Sequence, residues 1–203
     1  MRASVLQFGE PYTAEGAGLV LSVPRILNAA QQITPLMSWF DPGDRVSPFI
    51  FDLFPCNGFF CKKPYAGIAR VHVSRLKVSD GNIDGSSEDN LRRRVSALLV
   101  AAEADRQKVS ADYKRTYPRL IAESLRIDRL GGGLWAHVEQ HDPDGYLSGS
   151  VYWRILDGDY TISASYAVDR SLLPKGVSVD AVEAAFLDFV KQIKIVGVPR
   201  SRN

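Results

Sequence analysis

Apolar and polar positions alternate through several stretches of the chain, and each alternation predicts an extended segment with one buried face. In "GIARVHVSRLKV", Ala69, Val71 and Val73 fall on one side of a strand and Arg70, His72 and Ser74 on the other. The phase changes at Arg75, after which Leu76 and Val78 carry the apolar positions, and this predicts a bulge. "AGLVLSVP" reads as a short buried strand ended by Pro24, which has no N–H to give to a ladder. "VSPFIFDLF" predicts another strand and "RILNAAQQI" a brief helix. "ITPLMSWFDPGDR", punctuated by Pro35, Pro42 and Gly43, predicts a loop.

The longest helix is expected to begin after "DGSSEDN". Ser86 and Asp89 have capping-box spacing there, and Glu88 and Asp89 suit the positive end of the helix dipole. Leu91, Val95, Leu98, Ala102, Val109 and Tyr113 then form one apolar stripe, and Pro118 ends the helix. "LIAESLRIDRL", "GGGLWAHVEQH", "YLSGSVYWRIL" and "YTISASYAV" follow as a meander of strands, joined by a glycine run, "DPDG" and "DGD". Trp135, His137 and Glu139 are expected to share an exposed face. Val151, Trp153 and Ile155 share a face, as do Tyr160, Ile162 and Ala164. "VSVDAVEAAFLDFVKQIKIV" closes the chain as an amphipathic helix with Val182, Ala185, Phe186, Phe189, Val190 and Ile193 on one side, capped by Ser178 or Asp180.

These elements predict an α+β fold: an antiparallel sheet of about six strands flanked by the long central helix and the C-terminal helix. One domain is expected over residues 1–203, with 1–14 and 197–203 as flexible termini. The 203 residues are 45% hydrophobic, enough for a core without staples. Lys and Arg number 25 against 23 Asp and Glu, a balance unlike the basic excess of nucleic-acid binders. Arg92, Arg93 and Arg94 read as a solvated helix face. No apolar run reaches the length of a membrane span, and the start lacks the pattern of a secretory signal. The expectation is a soluble chain without membrane insertion, cytoplasmic as written and periplasmic if a leader has been cleaved.

"DGNIDG" sets Asp80, Asn82 and Asp84 two apart and closes with Gly85, as calcium loops do. Glu88 falls where a further ligand is acceptable. Leu91 stands where such a loop needs its bidentate acid, and a strand precedes the segment. Asp, Asn and Gly also make ordinary turns and helix caps, and the turn is favoured. "HVEQH" spaces His137 and His141 as a helical metal pair, but in a strand four residues span about 13 Å, too far for one ion. There is no G-x-S-x-G elbow, no P-loop and no dinucleotide fingerprint. Asp142, Asp144, Asp157 and Asp159 sit where hairpins place Asp for backbone reasons. Cys56 and Cys61 are too few ligands for a structural zinc. The turn formers Pro55, Asn57 and Gly58 allow the pair to close a disulfide, with free thiols as the alternative. "LFPCNGFFCKKPYAG" gathers Phe54, Phe59, Phe60 and Tyr65 beside Lys62 and Lys63, either as a partner-binding loop or as rings folded onto the core.

The order "GLVLSVP", long central helix, glycine-rich connector, "YWRILDGDYTISASYAV" and the final "AAFLDFVKQIKI" resembles the PsbP-like superfamily of α/β/α sandwiches over roughly residues 15–195. "ILNAAQQ" and "PCNGFFC" have no counterpart in that pattern, and no functional residue carries over. The resemblance implies a non-catalytic binding protein, since bacterial members include chaperones and accessory factors for secreted toxins. A protein partner is therefore expected, such as a toxin met by an immunity protein or a secreted effector met by a chaperone, with no cofactor. The alternatives are a small hydrolase using scattered carboxylates, or a Ca2+-dependent module built on Asp80, Asn82, Asp84 and Glu88.

Overall fold

The computed structural model describes residues 5–16, 18–36, 45–56, 65–75, 85–114, 116–156 and 160–196. Strands β1 (Phe8–Gly16) and β2 (Leu19–Ile26) pair as a hairpin, and β11 (Lys194–Val196) joins the other side of β2. A larger antiparallel sheet runs β3 (Ala29–Ile33), β4 (Arg45–Pro55), β5 (Tyr65–Arg75), β10 (Tyr160–Val168), β9 (Leu147–Ile155), β8 (Gly133–His141) and β6 (Arg119–Leu120). β7 (Arg126–Leu130) also pairs with β8, giving eight strands. Helix α1 (Glu88–Tyr113) covers part of one face, and α2 (Val179–Gln192) with the small sheet covers the other. The α+β class expected from the sequence is what the structure shows, with more strands than the expected six. Among the described residues no helix is long and apolar enough to cross a membrane.

Register explains which residues make the core. Val71 lies opposite Ala164, Ala164 opposite Tyr152, and Tyr152 opposite His137. This row and its neighbours two residues away face α2. Val182, Phe186, Phe189 and Val190 pack onto it, all fully buried. Ser178 caps α2 by accepting from Ala181 N at 3.2 Å. Burial of each Phe ring stabilises by about 1.5–3 kcal/mol. The intervening row carries Ala136, Val138 and Ile155, which receive Leu91, Val95 and Leu99 of α1. The two expected triads of the last hairpin therefore lie on opposite sides of the sheet, since Ile162 pairs with Arg154 and not with Trp153.

Several expectations are corrected. "RILNAAQQI" is not a helix: it holds the end of β2, a turn and β3. Pairing of Ala29–Ile33 with Phe49–Leu53 outweighs local helix propensity. Asn28 secures the turn, accepting from Gln7 N at 3.1 Å and donating to Val5 O at 2.9 Å. Half of the N-terminal segment expected to be flexible, Phe8–Ala14, lies in β1 and pairs with β2. "LIAESLRIDRL" is broken by a 3-10 turn at Ala122–Ser124 between β6 and β7. The N-cap of α1 is Ser87, accepting from Asn90 N, and not the Ser86–Asp89 pair. The second half of the α1 stripe is not buried, with Val109 39% and Tyr113 67% exposed. A helix of 26 residues is about 39 Å long, whereas the nine-residue β8 beneath it spans about 30 Å. The helix ends at Lys114, which takes the left-handed conformation at φ 51° before Pro118 is reached. Within the described residues, β4 carries a bulge between Val46 and Phe49, where Pro48 has no N–H for the ladder.

Candidate functional site

The loops at one end of the large sheet build a surface with depth. Pro55 at the end of β4 pairs with Tyr65 at the start of β5, Gly67 with Val168 at the end of β10, and His141 with Leu147. Gly67 is needed there, because a Cβ would stand 2.8 Å from the Ala167 carbonyl. From β10 the chain enters Asp169, the 3-10 turn Arg170–Leu172 and Pro174. Asp169 N donates to Ala66 O at 2.8 Å, and its carboxylate accepts from Ser171 N and Ser171 Oγ at 3.1 and 2.6 Å. In the β8–β9 turn the Asp142 carboxylate accepts from the amides of Asp144 and Tyr146 at 3.0 and 2.9 Å. These two acids hold turns by hydrogen-bonding backbone amides, as expected for Asp in such positions.

Three depressions adjoin the Asp169–Pro174 segment. The first, about 600 Å3, has Tyr65, Ile68, Asp142, Tyr146 and Arg170 on its walls. The second, about 410 Å3, lies between Tyr146, Arg170 and the start of α2. The third, about 760 Å3, is lined by Leu27, Phe54, Cys56, Leu172 and Pro174. Arg170 places its guanidinium 4.1 Å from the Tyr146 ring centre, within cation–π range, on the ridge between the first two. Tyr146 is 56% exposed and Leu27 52%.

The described ends of the aromatic segment fall on this surface. Tyr65 lines the first depression, and Phe54 and Cys56 line the third. Phe54 has φ 54°, a left-handed conformation that costs a non-glycine residue about 1–2 kcal/mol, and its half-buried ring packs on the core. Cys56 is disulfide-bonded. Phe59, Phe60, Cys61, Lys62 and Lys63 lie outside the described residues, as do Asp80, Asn82 and Asp84. Glu88 opens α1 and pairs with Arg92 at 3.4 Å. Gly85 has a structural reason of its own: a Cβ there would come within 2.4 Å of Ile155 O. Among the described residues no group of three His, Cys, Asp or Glu side chains is placed to hold a metal ion.

A buried polar knot escaped the sequence reading. His137, expected on an exposed face, is 1% exposed, and Trp135 is fully buried, because this row of β8 faces α2. Glu183 of α2 reaches the same row. Its carboxylate accepts from Ser150 Oγ and Tyr152 OH, each at 2.6 Å, and contacts His137 Nε2 at 3.1 Å. Burial pushes this carboxyl up, but hydrogen bonds from His137, Ser150 and Tyr152 outweigh burial and hold it at about 2. Burial and then the Glu183 charge push the Tyr152 hydroxyl above the ordinary phenol range. Tyr166 feels the same two effects, while its hydroxyl stays outside hydrogen-bond geometry. The knot has the residue types of a hydrolytic triad without its geometry. Ser150 Oγ and Glu183 both meet Nε2 of His137, whereas a triad sets acid and hydroxyl on opposite nitrogens. The sequence carries little signal for it, because His137 shares its strand face with Glu139 and Ser150 shares its own with Ser148 and Arg154. His141 belongs elsewhere, 3.0 Å from Glu139.

The depressed Glu183 carboxyl implies an acid limit. A group held below its unfolded value stabilises the fold fully above that value and loses this contribution as pH falls toward the folded one. The loss should therefore run from about pH 4.5 to about pH 2 and amount to about 3 kcal/mol. Chemical denaturation at steps across that window measures it, and Glu183→Gln should remove most of the slope.

No family model matches the chain, and no curated protein does. Among solved structures it is similar to the solution structure of cyanobacterial PsbP (CyanoP) from Synechocystis sp. PCC 6803. The identity is 11%, the likeness covers 97% of this chain and 94% of that one, and the TM-score is 0.49. It is also similar to a crystal structure from Bacteroides thetaiotaomicron VPI-5482, at 12% identity, 96% of this chain, 51% of that chain and a TM-score of 0.41. Both likenesses are at low identity, and no role is taken from either.

Proposed function

We propose that this protein is a non-enzymatic binding module that captures a partner protein with the sheet end built around Asp169–Pro174. The observation that carries this reading is the exposed Tyr146 stacked against Arg170 on the ridge between two depressions. Exposed aromatic and arginine side chains beside concave apolar surface are the composition of interface hot spots. Leu27 extends the apolar area, with Phe54 on the wall of the third depression and Tyr65 on the wall of the first. Asp142 and Asp169 have their carboxylates committed to turn amides, and the strongly displaced acids Glu103 and Glu183 line none of the three depressions. A toxin or a secreted effector is the partner class carried over from the sequence resemblance.

The test is co-purification from the native source followed by quantitative binding with the isolated partner. The double variant Tyr146→Ser, Arg170→Ser should weaken the complex by about 30-fold or more, as hot-spot truncation does. Its melting temperature should stay near that of the parent, because both side chains stand at the surface. Undiminished affinity in that variant would place the partner on another face.

A further inference from the structure

Among the described residues, α1 packs on the face of the large sheet turned away from α2 chiefly over β6, β8 and β9. Over β4, β5 and β10 it presents polar side chains in register. His72 lies opposite Ser163, Arg70 opposite Ser165, and Ser74 lies between Thr161 and Arg45. Arg45 and Arg70 thus flank His72, each about two residues of strand, roughly 7 Å, to one side. Both arginines are exposed, while His72 and Ser163 beneath them are each 7% exposed. Ser47 Oγ, from the bulge of β4, sits 2.6 Å from His72 Nδ1.

These groups act on one another. Burial, then the charges of Arg45 and Arg70, push His72 down to about 3. Burial, then the charge of Arg70, lowers Arg45. The register sets two guanidinium-bearing residues on either side of a neutral imidazole, and both charges bear on it. Among the described residues no carboxylate stands in ion-pair range of either arginine. Asp52, the acid on β4, pairs in register with Ile68 and makes no ion pair with Arg70. An arrangement with two positive charges, hydroxyl donors around them and no paired carboxylate among the described residues is suited to an anion from outside.

The geometry points to an oxyanion site in which a phosphoryl group sits above His72, clasped by Arg45 and Arg70 and bordered by the hydroxyls of Ser47, Ser163 and Ser165. Guanidinium forks match the oxygens of such a group in pairs. The chain as a whole carries a formal charge of only +2, which favours a small phosphorylated ligand over an anionic membrane surface. The site is on a different surface from the protein-docking end and stands independently of it.

Inorganic phosphate is the first probe, titrated against chloride at equal ionic strength. The expected result is a rise in melting temperature of about 3 °C at a concentration ten times the Kd. The 31P resonance should also broaden on addition of protein. Arg45→Ala and Arg70→Ala, both surface changes, should each weaken binding by tenfold or more and abolish the broadening. Arg70→Lys, which keeps the charge and loses the fork, should fall between. Vesicles of phosphatidylcholine with and without phosphatidate form the second arm. Binding of phosphatidate vesicles alongside phosphate, lost in the arginine variants, supports the site and sets its phosphoryl group on a lipid. No response to phosphate, or a response that survives both arginine variants, overturns the proposal.

Discussion

Replacing Glu183 by alanine is expected to lower stability by about 3–5 kcal/mol, because it removes one partner from a buried charged network and leaves the others in place. Ser150 and Tyr152 are fully buried, and His137 is almost so. Each points a polar atom at the Glu183 carboxylate. Without that acceptor, two hydroxyls and an imidazole face a space that holds no oxygen. For a chain of this length each kcal/mol corresponds to about 2–4 °C, so the melting temperature should fall by roughly 10 °C or more. Glu183→Gln keeps one acceptor oxygen but turns an NH2 toward donors, and its loss should be smaller. Ser150→Ala and Tyr152→Phe should each cost about 1–2 kcal/mol and combine non-additively with Glu183→Ala, since all three act on one group. Urea denaturation of the four variants supplies the comparison. A Glu183→Ala protein as stable as the parent would show that the knot does not fasten α2 to the sheet.

Phe186→Ala is expected to cost about 3–5 kcal/mol, the range for deleting a fully buried ring. Phe186 lies 5.0 Å from Tyr166, 5.1 Å from Phe189 and 6.0 Å from Tyr152, ring centre to ring centre. Phe189 in turn meets Phe51 of β4 edge-on at 5.7 Å. The cavity left at Phe186 would therefore sit where α2, β9 and β10 meet. On α1, Val100 is 74% exposed, and Val100→Ala should stay within about 0.5 kcal/mol of the parent. Urea midpoints for the two variants measure the contrast. Equal losses at the two positions would contradict a core centred under α2.

Much of the architecture was legible because burial on one face leaves a local trace. β5 alternates as it must when Ala69, Val71 and Val73 meet α2 and the small sheet. The stripe of α2 is legible as far as Val190, since Val182, Phe186, Phe189 and Val190 do face one side, but the expected helix runs too far: Ile193 is extended and Lys194–Val196 pair with β2 as β11. The turn at "DPDG" was legible through Asp142, whose carboxylate can bridge its own turn. Other elements leave no such trace. β1 reads "FGEPYTAEG", mostly polar and with a proline, and becomes a strand through pairing with β2. β6 has two residues, too few for any period. The stripe of α1 looked continuous, yet whether a helix face is buried depends on how far the sheet beneath it extends.

The candidate surfaces divide in the same way. Phe54 and Tyr65 stood out as aromatics near turn residues, and the structure sets both at the sheet end. Tyr146, Arg170 and Leu27 attracted no attention, because nothing near them in sequence says that separate turns will meet. The same holds for Arg45 and Arg70, brought to either side of His72 by strand register. Where one face is buried, the amino-acid order settled what a segment would be, through periodicity, capping and turn chemistry acting within a few residues, whereas β1, β3 and β6 took their form from pairing. Assembly in three dimensions settled which faces look inward and which distant side chains touch. Glu183 is 31 residues from Tyr152 and 33 from Ser150, and only the docking of α2 on the sheet brings them within hydrogen-bond reach. Such contacts depend on the path of the whole chain, and no local pattern of residues encodes that path.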